Sequence, residues 1–231
     1  VVHTSILTAL LSGTFLVIVG LLLARPALEI MGTPEDVIDE AAVYMRIYFI
    51  GMPSTMAYNF GSAVLRAVGD TKRPLYFLTV SGVVNVILNL IFVIVFRMSV
   101  SGVALATIIS QTLSAFLVLR CLMLTDSDYK LVLSRLRIVP DKFFKMLSIG
   151  LPAGLQGTLF SLSNVLIQSS INSFGSMVVA GNSASSNLEG FVYTAMNAFA
   201  QAAVTFTSQN IGARKYHNLD RVIRNCLLCV V

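Results

Sequence analysis

The sequence predicts an all-α membrane protein that crosses the bilayer several times. Of its 231 residues, 56% are hydrophobic and 12% are charged, whereas soluble domains carry about 25% charged residues. Its mean hydropathy is +0.82. Long windows without Asp, Glu, Lys or Arg separate the charges, at 1–24, 47–65, 74–96, 98–119, 146–188 and 190–213. Because a membrane helix needs about 20 mostly apolar residues, these windows predict spanning helices.

Six spans follow from these windows in chain order. The fifth window is too long for one span, and the turn-like sequence around 172–176 divides it in two. We therefore predict spans at 3–24, 43–66, 74–96, 100–123, 144–171 and 177–208, and a seventh helix that begins at about Arg221. Because the chain does not begin with Met and ends in an apolar run, we expect it to be a fragment of a longer protein.

Two connections between the spans have patterns of their own. The acidic segment 25–42 contains the sequence Thr-Pro-Glu-Asp, which is typical of a helix start, so we predict a short outer helix over 34–42. Residues 124–145 form the longest polar stretch. Their basic, leucine-bearing pattern favours a helix at the cytoplasmic interface, and the same stretch could link two helical bundles.

The basic residues indicate topology rather than a nucleic-acid surface. The formal net charge is +5 with 16 lysines and arginines. All but Arg25, Arg46 and Arg97 fall in the segments 66–73, 120–145 and 214–224. Cytoplasmic loops of membrane proteins carry an excess of lysine and arginine, so we expect the three segments to face the cytoplasm. We expect the protein to interact with the lipid bilayer and not with nucleic acid.

Polar side chains recur at helical spacing within the predicted spans. Because helices in lipid hide their polar groups, such stripes predict a central polar cavity, and helix packing through interhelical hydrogen bonds is the alternative. The longest stripe lies on the sixth span and comprises Asn182, Ser186, Glu189, Tyr193, Asn197 and Gln201. The fifth span carries Gly157, Ser161, Asn164, Gln168 and Asn172, and shorter stripes are Thr55, Asn59, Ser62 and Arg66; Asn85 and Asn89; and Thr107, Gln111 and Ser114.

Glu189 is the only charged residue between Lys145 and Arg214. Placing a charged side chain at the bilayer centre costs at least about 2.5–3.5 kcal/mol, so the presence of Glu189 there favours a functional role for this residue. A carboxylate there can bind a proton or a cationic ligand, but not both at full strength, which is the simplest chemistry of antiport. The alternative interpretation is a protonated glutamic acid that donates a hydrogen bond to a neighbouring helix.

Two prolines fall early in their spans, and other chemistry is sparse. Pro53 and Pro152 each follow a glycine by two residues, and interrupted helices are common where transporters bind or bend. We consider both as hinges, with ordinary kinks as the alternative. The three cysteines predict no disulfide framework and no metal site. Without a catalytic set or a phosphate loop, we expect no enzyme and no cofactor.

Several segments resemble the multidrug and toxic compound extrusion (MATE) family. The resemblance rests on 31–53, 65–77, 81–93, 101–111, 149–164 and 207–218, which occur in family order. It implies part of a twelve-helix, two-lobe transporter, of which this chain supplies helices three to eight and the start of nine. Residues 1–123 are then the latter part of the N-terminal lobe, 124–143 the cytoplasmic inter-lobe linker and 144–231 the first part of the C-terminal lobe.

The same resemblance implies a function and a set of site residues. Members of the family export small organic cations in exchange for H⁺ or Na⁺, and often have Asp at the position of Asn89, which cannot ionise. Asn59, Asn85 and Thr107 match polar positions of the first-lobe cavity, and Glu189 lies in the second-lobe cavity. We expect a monomeric, multi-pass plasma-membrane protein. The alternatives are a related flippase for lipids or lipid-linked oligosaccharides, and a membrane module without transport activity.

Overall fold

The computed structural model describes residues 1–30, 35–172 and 176–230, which divide into two compact units, Val1–Phe143 and Phe144–Val231. These residues form the eight α-helices of an all-α fold. In order they are α1 (Val2–Ile30), α2 (Glu35–Ile50), α3 (Met52–Ala67), α4 (Lys72–Leu90), α5 (Val100–Leu124), α6 (Pro140–Asn172), α7 (Ser176–Gly212) and α8 (Leu219–Val230). The predicted turn at 172–176 falls largely outside the described residues, as does the first residue of the predicted outer helix, Pro34.

Small residues let α1 pack closely against α2 and α3 in unit 1. A Cβ atom added to Gly13 would lie 2.5 Å from the Cα atom of Pro53, and one added to Gly20 would overlap the ring of Phe49. Membrane helices approach through small residues in this way because lipid supplies no hydrophobic force between helices. Glycine at these two positions therefore sets how near α1 comes to its neighbours.

A compact apolar core joins α1, α3 and α5. Ile6, Leu65, Val118 and Leu122 are at most 1% exposed and belong to one cluster. Leu131, which follows α5, is 2% exposed and packs in the same cluster. This core therefore holds the segment after α5 as well as the helices of unit 1.

The boundary between the predicted outer helix and the second predicted span lies at a different residue from the one we expected. We predicted a short outer helix over 34–42 and a span over 43–66, but α2 runs without a break to Ile50 and α3 begins at Met52. Pro53 lies in the first turn of α3, where a residue without an N–H group is tolerated. The break at Gly51 thus follows from proline, whereas residues 35–42 of the acidic segment and the apolar residues after them continue as one helix.

The prediction of an interfacial helix within 124–145 is wrong. Residues 125–139 contain a single 3₁₀ turn, Leu133–Arg135, and are otherwise irregular. Some of their backbone N–H groups bond to other elements: the Leu131 N–H donates to the Leu122 carbonyl at 2.8 Å, and the Val132 N–H donates to Nε2 of His3 at 3.1 Å. Partners on α1 and α5 therefore replace the bonds that a helix would form within itself.

Three of the described helical segments are long and apolar enough to cross a membrane, namely Val2–Ile30, Lys72–Val95 and Val100–Leu124. They correspond to the predicted spans 3–24, 74–96 and 100–123. Helices α6 and α7 have 33 and 37 residues, about 50 Å or more at 1.5 Å per residue. Their length suffices for a bilayer, and their polar stripes lower their apolar content.

Candidate functional site

A polar cavity lies between α4 and α5 in unit 1. Its volume is about 180 Å³, and its polar lining consists of Ser81, Asn85, Thr107, Ser110, Gln111 and Ser114. Both helices belong to the segments that are apolar enough to cross a membrane. None of these lining residues is ionisable, so the cavity offers neutral hydrogen-bonding groups at membrane depth.

The hydroxyl groups of α5 present acceptors to this cavity. Thr107 donates its hydroxyl proton to the Val103 carbonyl at 2.9 Å, Ser110 donates to Thr107 at 2.8 Å and Ser114 donates to Gln111 at 2.9 Å. A hydroxyl that donates into its own helix keeps its oxygen lone pairs for another donor. This side of the cavity is therefore suited to a ligand group that carries hydrogen-bond donors, such as an amine or ammonium.

Two buried polar atoms on α4 have no hydrogen-bond partner in the described structure. They are Oγ of Ser81, a residue that is 3% exposed, and Oδ1 of Asn89. Nδ2 of Asn89 donates to Oδ1 of Asn85 at 3.1 Å, which turns the Asn89 oxygen away from Asn85. Buried polar atoms are almost always paired, so each unpaired acceptor marks a position where a ligand or water could bind.

The helix geometry changes just beyond these asparagines. Residues Ile91–Val95 form a π-helical segment directly after α4. Such segments are rare in proteins, and those that occur are frequently found at functional sites. The wider turn follows Asn89 by two residues, so the polar stripe of α4 ends where the helix is wound differently.

The structure brings some predicted first-lobe residues together and leaves one apart. Asn85 and Thr107 line the same cavity, and Asn89 is bonded to Asn85. Asn59, on α3, is exposed and is not among the residues lining that cavity. Ser62, one turn along α3, is fully buried instead. Neither of these α3 residues therefore lines the cavity between α4 and α5.

In unit 2 the predicted residues lie on long helices and remain accessible. Nδ2 of Asn182 on α7 donates to Oε1 of Gln168 on α6 at 3.4 Å. The other predicted side chains are exposed, namely Asn164, Ser186, Glu189, Tyr193 and Asn197. No ion pair within the described residues involves Glu189. Pro152 lies inside α6, which continues through it, and the Asn172 side chain is outside the description.

Sequence reasoning missed two polar lining residues of the unit 1 cavity, Ser81 and Ser110. Ser81 precedes Asn85 by four residues, so a stripe of Ser81, Asn85 and Asn89 was present in the sequence. Ser110 follows Thr107 by three residues on the next helix. Serine in a helix can bond to its own backbone, as Ser110 does, so its presence alone does not indicate a cavity. Only the packing of α4 on α5 distinguishes Ser81 and Ser110 from the other serines.

The helical fold and the polar stripes on its helices agree with a known family. A family model described as MatE matches residues 1–91 and 152–231. The chain belongs to the MatE family. Its relatives include the probable multidrug resistance proteins YpnP and YoeA of Bacillus subtilis. YpnP is 35% identical over 84% of this chain and 43% of its own length, and YoeA is 32% identical over 97% and 50%.

Solved structures support the MatE fold. A transporter of the MOP superfamily from Pyrococcus furiosus aligns with a TM-score of 0.89 and 21% identity, over 97% of this chain and 50% of its own. The MatE chain thus spans about half the length of the relatives it matches, as part of a twelve-helix, two-lobe transporter fold. MatE proteins are transporters, so the relatives confirm that the chain is not an enzyme.

Proposed function

We propose that the full-length protein exports small cationic organic molecules across the plasma membrane by alternating access, in exchange for H⁺ or Na⁺. Membership of the MatE family supports a transport function, and both Bacillus relatives are named probable multidrug resistance proteins. The transported molecules and the coupling ion are the protein's only small partners in this proposal. It needs no cofactor, and the full-length protein acts as a monomer.

The observation that carries the coupling step is the position of Glu189. It is the only charged residue between Lys145 and Arg214, and it lies in the middle of α7 on the polar stripe. Its carboxylate binds either the driving cation or the positive group of the substrate. Because one site cannot hold both at full strength, loading of the ion from outside releases the substrate, as antiport requires.

The cavity between α4 and α5 has a different task in this proposal. Its polar lining is neutral and rich in acceptors. It therefore contributes to substrate binding through hydrogen bonds. Because none of its lining residues is ionisable, substrate binding there does not require the lining to gain or lose a proton. Asn85, Asn89 and Thr107 are the first-lobe residues that we assign to substrate contacts, with Asn59 as a more distant candidate.

The second lobe supplies further contacts and one hinge. We assign Asn164, Gln168, Asn182, Ser186, Tyr193 and Asn197 to the cavity around Glu189. Pro53 begins α3 after the break at Gly51, and Pro152 removes a backbone donor within α6. Both positions allow local bending during the change between inward-open and outward-open states.

The test is transport of a fluorescent cationic dye by the full-length protein in vesicles under an imposed proton or sodium gradient. Glu189→Gln keeps the size and hydrogen-bonding ability of the side chain and removes its charge. We expect it to abolish gradient-driven export while dye binding in detergent falls less. Glu40→Gln, on an exposed position of α2, removes a carboxylate elsewhere and should transport normally. Wild-type coupled rates in Glu189→Gln would contradict the proposal.

A flippase for lipids or lipid-linked oligosaccharides is the competing function. Such a protein would be expected to place basic groups near a phosphate, and none of the lining residues of the unit 1 cavity is basic. The same vesicles distinguish the two functions when a labelled lipid replaces the dye. Movement of the lipid without gradient-driven dye export would favour the flippase.

A further inference from the structure

Unit 2 contains a groove between the end of α7 and the start of α8. Its volume is about 460 Å³. The α7 wall includes Phe199 and Phe206, and the α8 wall includes Val222, Cys226 and Cys229. Phe206 is 54% exposed, so the groove leaves much of an aromatic ring available for contact. This groove is distinct from the polar stripe around Glu189.

The groove is polar at one end and apolar at the other. Helices α7 and α8 are joined by the short connection 213–218, so residues near this connection lie at the same end. Asn218 donates through Nδ2 to Oδ1 of Asn210 at 2.9 Å, and both line the groove there together with Arg221. Phe199 and Cys229 are about 12–16 Å further along their helices at 1.5 Å per residue. The lining, in which Asn225 lies one turn beyond Arg221, therefore changes from polar to apolar along its length.

The polar end carries a strong excess of positive charge. Arg214, Lys215, Arg221 and Arg224 lie on the connection and the first turns of α8, against the single acid Asp220. Of these, Arg221 is the basic residue that lines the groove. No ion pair within the described residues uses it. Its guanidinium is therefore available to an anion that approaches from the end of the groove.

This arrangement fits an amphiphile with a negative head and a long apolar tail. Basic segments of this kind face the cytoplasmic leaflet, where anionic lipids are enriched and Arg attracts them. A free phosphate would leave the apolar length of the groove uncovered, and a zwitterionic lipid would gain less from Arg221. We propose that the groove between α7 and α8 binds an anionic phospholipid, with its phosphate at Arg221 and an acyl chain along Phe206 and Cys226.

The test uses the full-length protein in vesicles with a tryptophan reporter, since this chain contains no tryptophan. Phe206→Trp places an indole in the groove, and the unsubstituted protein provides the background fluorescence. Brominated phosphatidylglycerol should quench the indole more strongly than brominated phosphatidylcholine. Arg221→Ala should lower that preference about fivefold, from the attraction of one basic side chain. Arg221→Lys keeps the charge and should retain most of it.

Arg224→Ala is the matched control, because Arg224 is exposed on α8 and does not line the groove. It removes the same charge and should leave the lipid preference unchanged. An equal loss in both alanine variants would assign the effect to general surface charge and overturn the proposal. So would the absence of quenching by either lipid, which would mean that protein covers the groove. Loss of the preference on adding inorganic phosphate would identify a site for the free anion instead.

Discussion

The hydrogen-bonded pair of Asn85 and Asn89 provides the sharpest test of the cavity between α4 and α5. Asn85→Ala removes the acceptor that lies 3.1 Å from Nδ2 of Asn89. The oxygen of Asn89 is already buried without a partner, so the whole amide group would then be unpaired. Leaving a buried polar group unpaired costs about 1–3 kcal/mol. Hydrogen bonds between side chains in membrane proteins average about 0.6 kcal/mol and reach about 1.7 kcal/mol.

These magnitudes predict effects of different size on stability for two substitutions of the pair. Asn85→Ala should lower the free energy of unfolding by about 1 kcal/mol, because it strands the Asn89 amide. Asn89→Leu removes the unpaired oxygen and keeps a similar volume, but it also leaves Oδ1 of the half-buried Asn85 without its donor, so stability should fall by less than in Asn85→Ala. If the unpaired oxygen serves substrate binding, Asn89→Leu should nevertheless lower substrate affinity. Substrate affinity would then fall in the variant that keeps more of the stability.

The assays are reversible unfolding in mixed micelles and dye transport in vesicles, both with the full-length protein. The double variant completes a thermodynamic cycle, whose coupling energy should be about 0.6 kcal/mol. The argument would be refuted if Asn89→Leu were destabilised as much as Asn85→Ala and still transported the dye at the wild-type rate. That result would assign the pair to helix packing alone.

Three further predictions follow from other parts of the molecule. Gly13→Ala should destabilise the protein by about 1–3 kcal/mol, because the added Cβ atom would meet the backbone of Pro53. Gly82→Ala should leave stability unchanged, because its Cβ atom would meet no atom within 4 Å. Equal unfolding midpoints for the two variants would contradict this prediction. Thr4→Val should raise hydrogen exchange in 130–139, because the Thr4 hydroxyl accepts from the Val139 N–H and donates to the Arg137 carbonyl, each at 3.3 Å. Unchanged exchange would show that the contacts of Leu131 and His3 hold the segment without Thr4. Asn89→Ala should alter the range of transported dyes more than the pH dependence of transport, and loss of that pH dependence would place the coupling site in unit 1.

Composition and periodicity were sufficient for the fold class and for the helical faces. The charge-free windows predicted helices because a bilayer imposes both a length and an apolar surface on each span. The spacing of Asn85 and Asn89 placed both on one face of α4, and their hydrogen bond agrees with it. The charge distribution also marked Glu189 as unusual, although its role stays a prediction.

Other features depended on contacts between distant parts of the chain. The sequence of 125–139 favours an interfacial helix, but Leu131 packs into the core and His3 accepts the Val132 N–H. These tertiary partners satisfy the backbone, so local propensity does not decide its conformation. The break at Gly51 could be predicted only in part. Pro53 indicated an interruption of the helix, but the sequence did not show that α2 continues as far as Ile50.

By itself, the sequence determined that the chain is helical, membrane-embedded and striped with polar residues, because these properties depend on local composition and helical period. The tertiary structure alone decided which stripes meet. It brought Ser81 and Asn85 on α4 to Thr107 and Ser110 on α5, and it left Asn59 apart. A helical face can be read from spacing, whereas the neighbour of that face depends on how small residues such as Gly13 allow helices to approach.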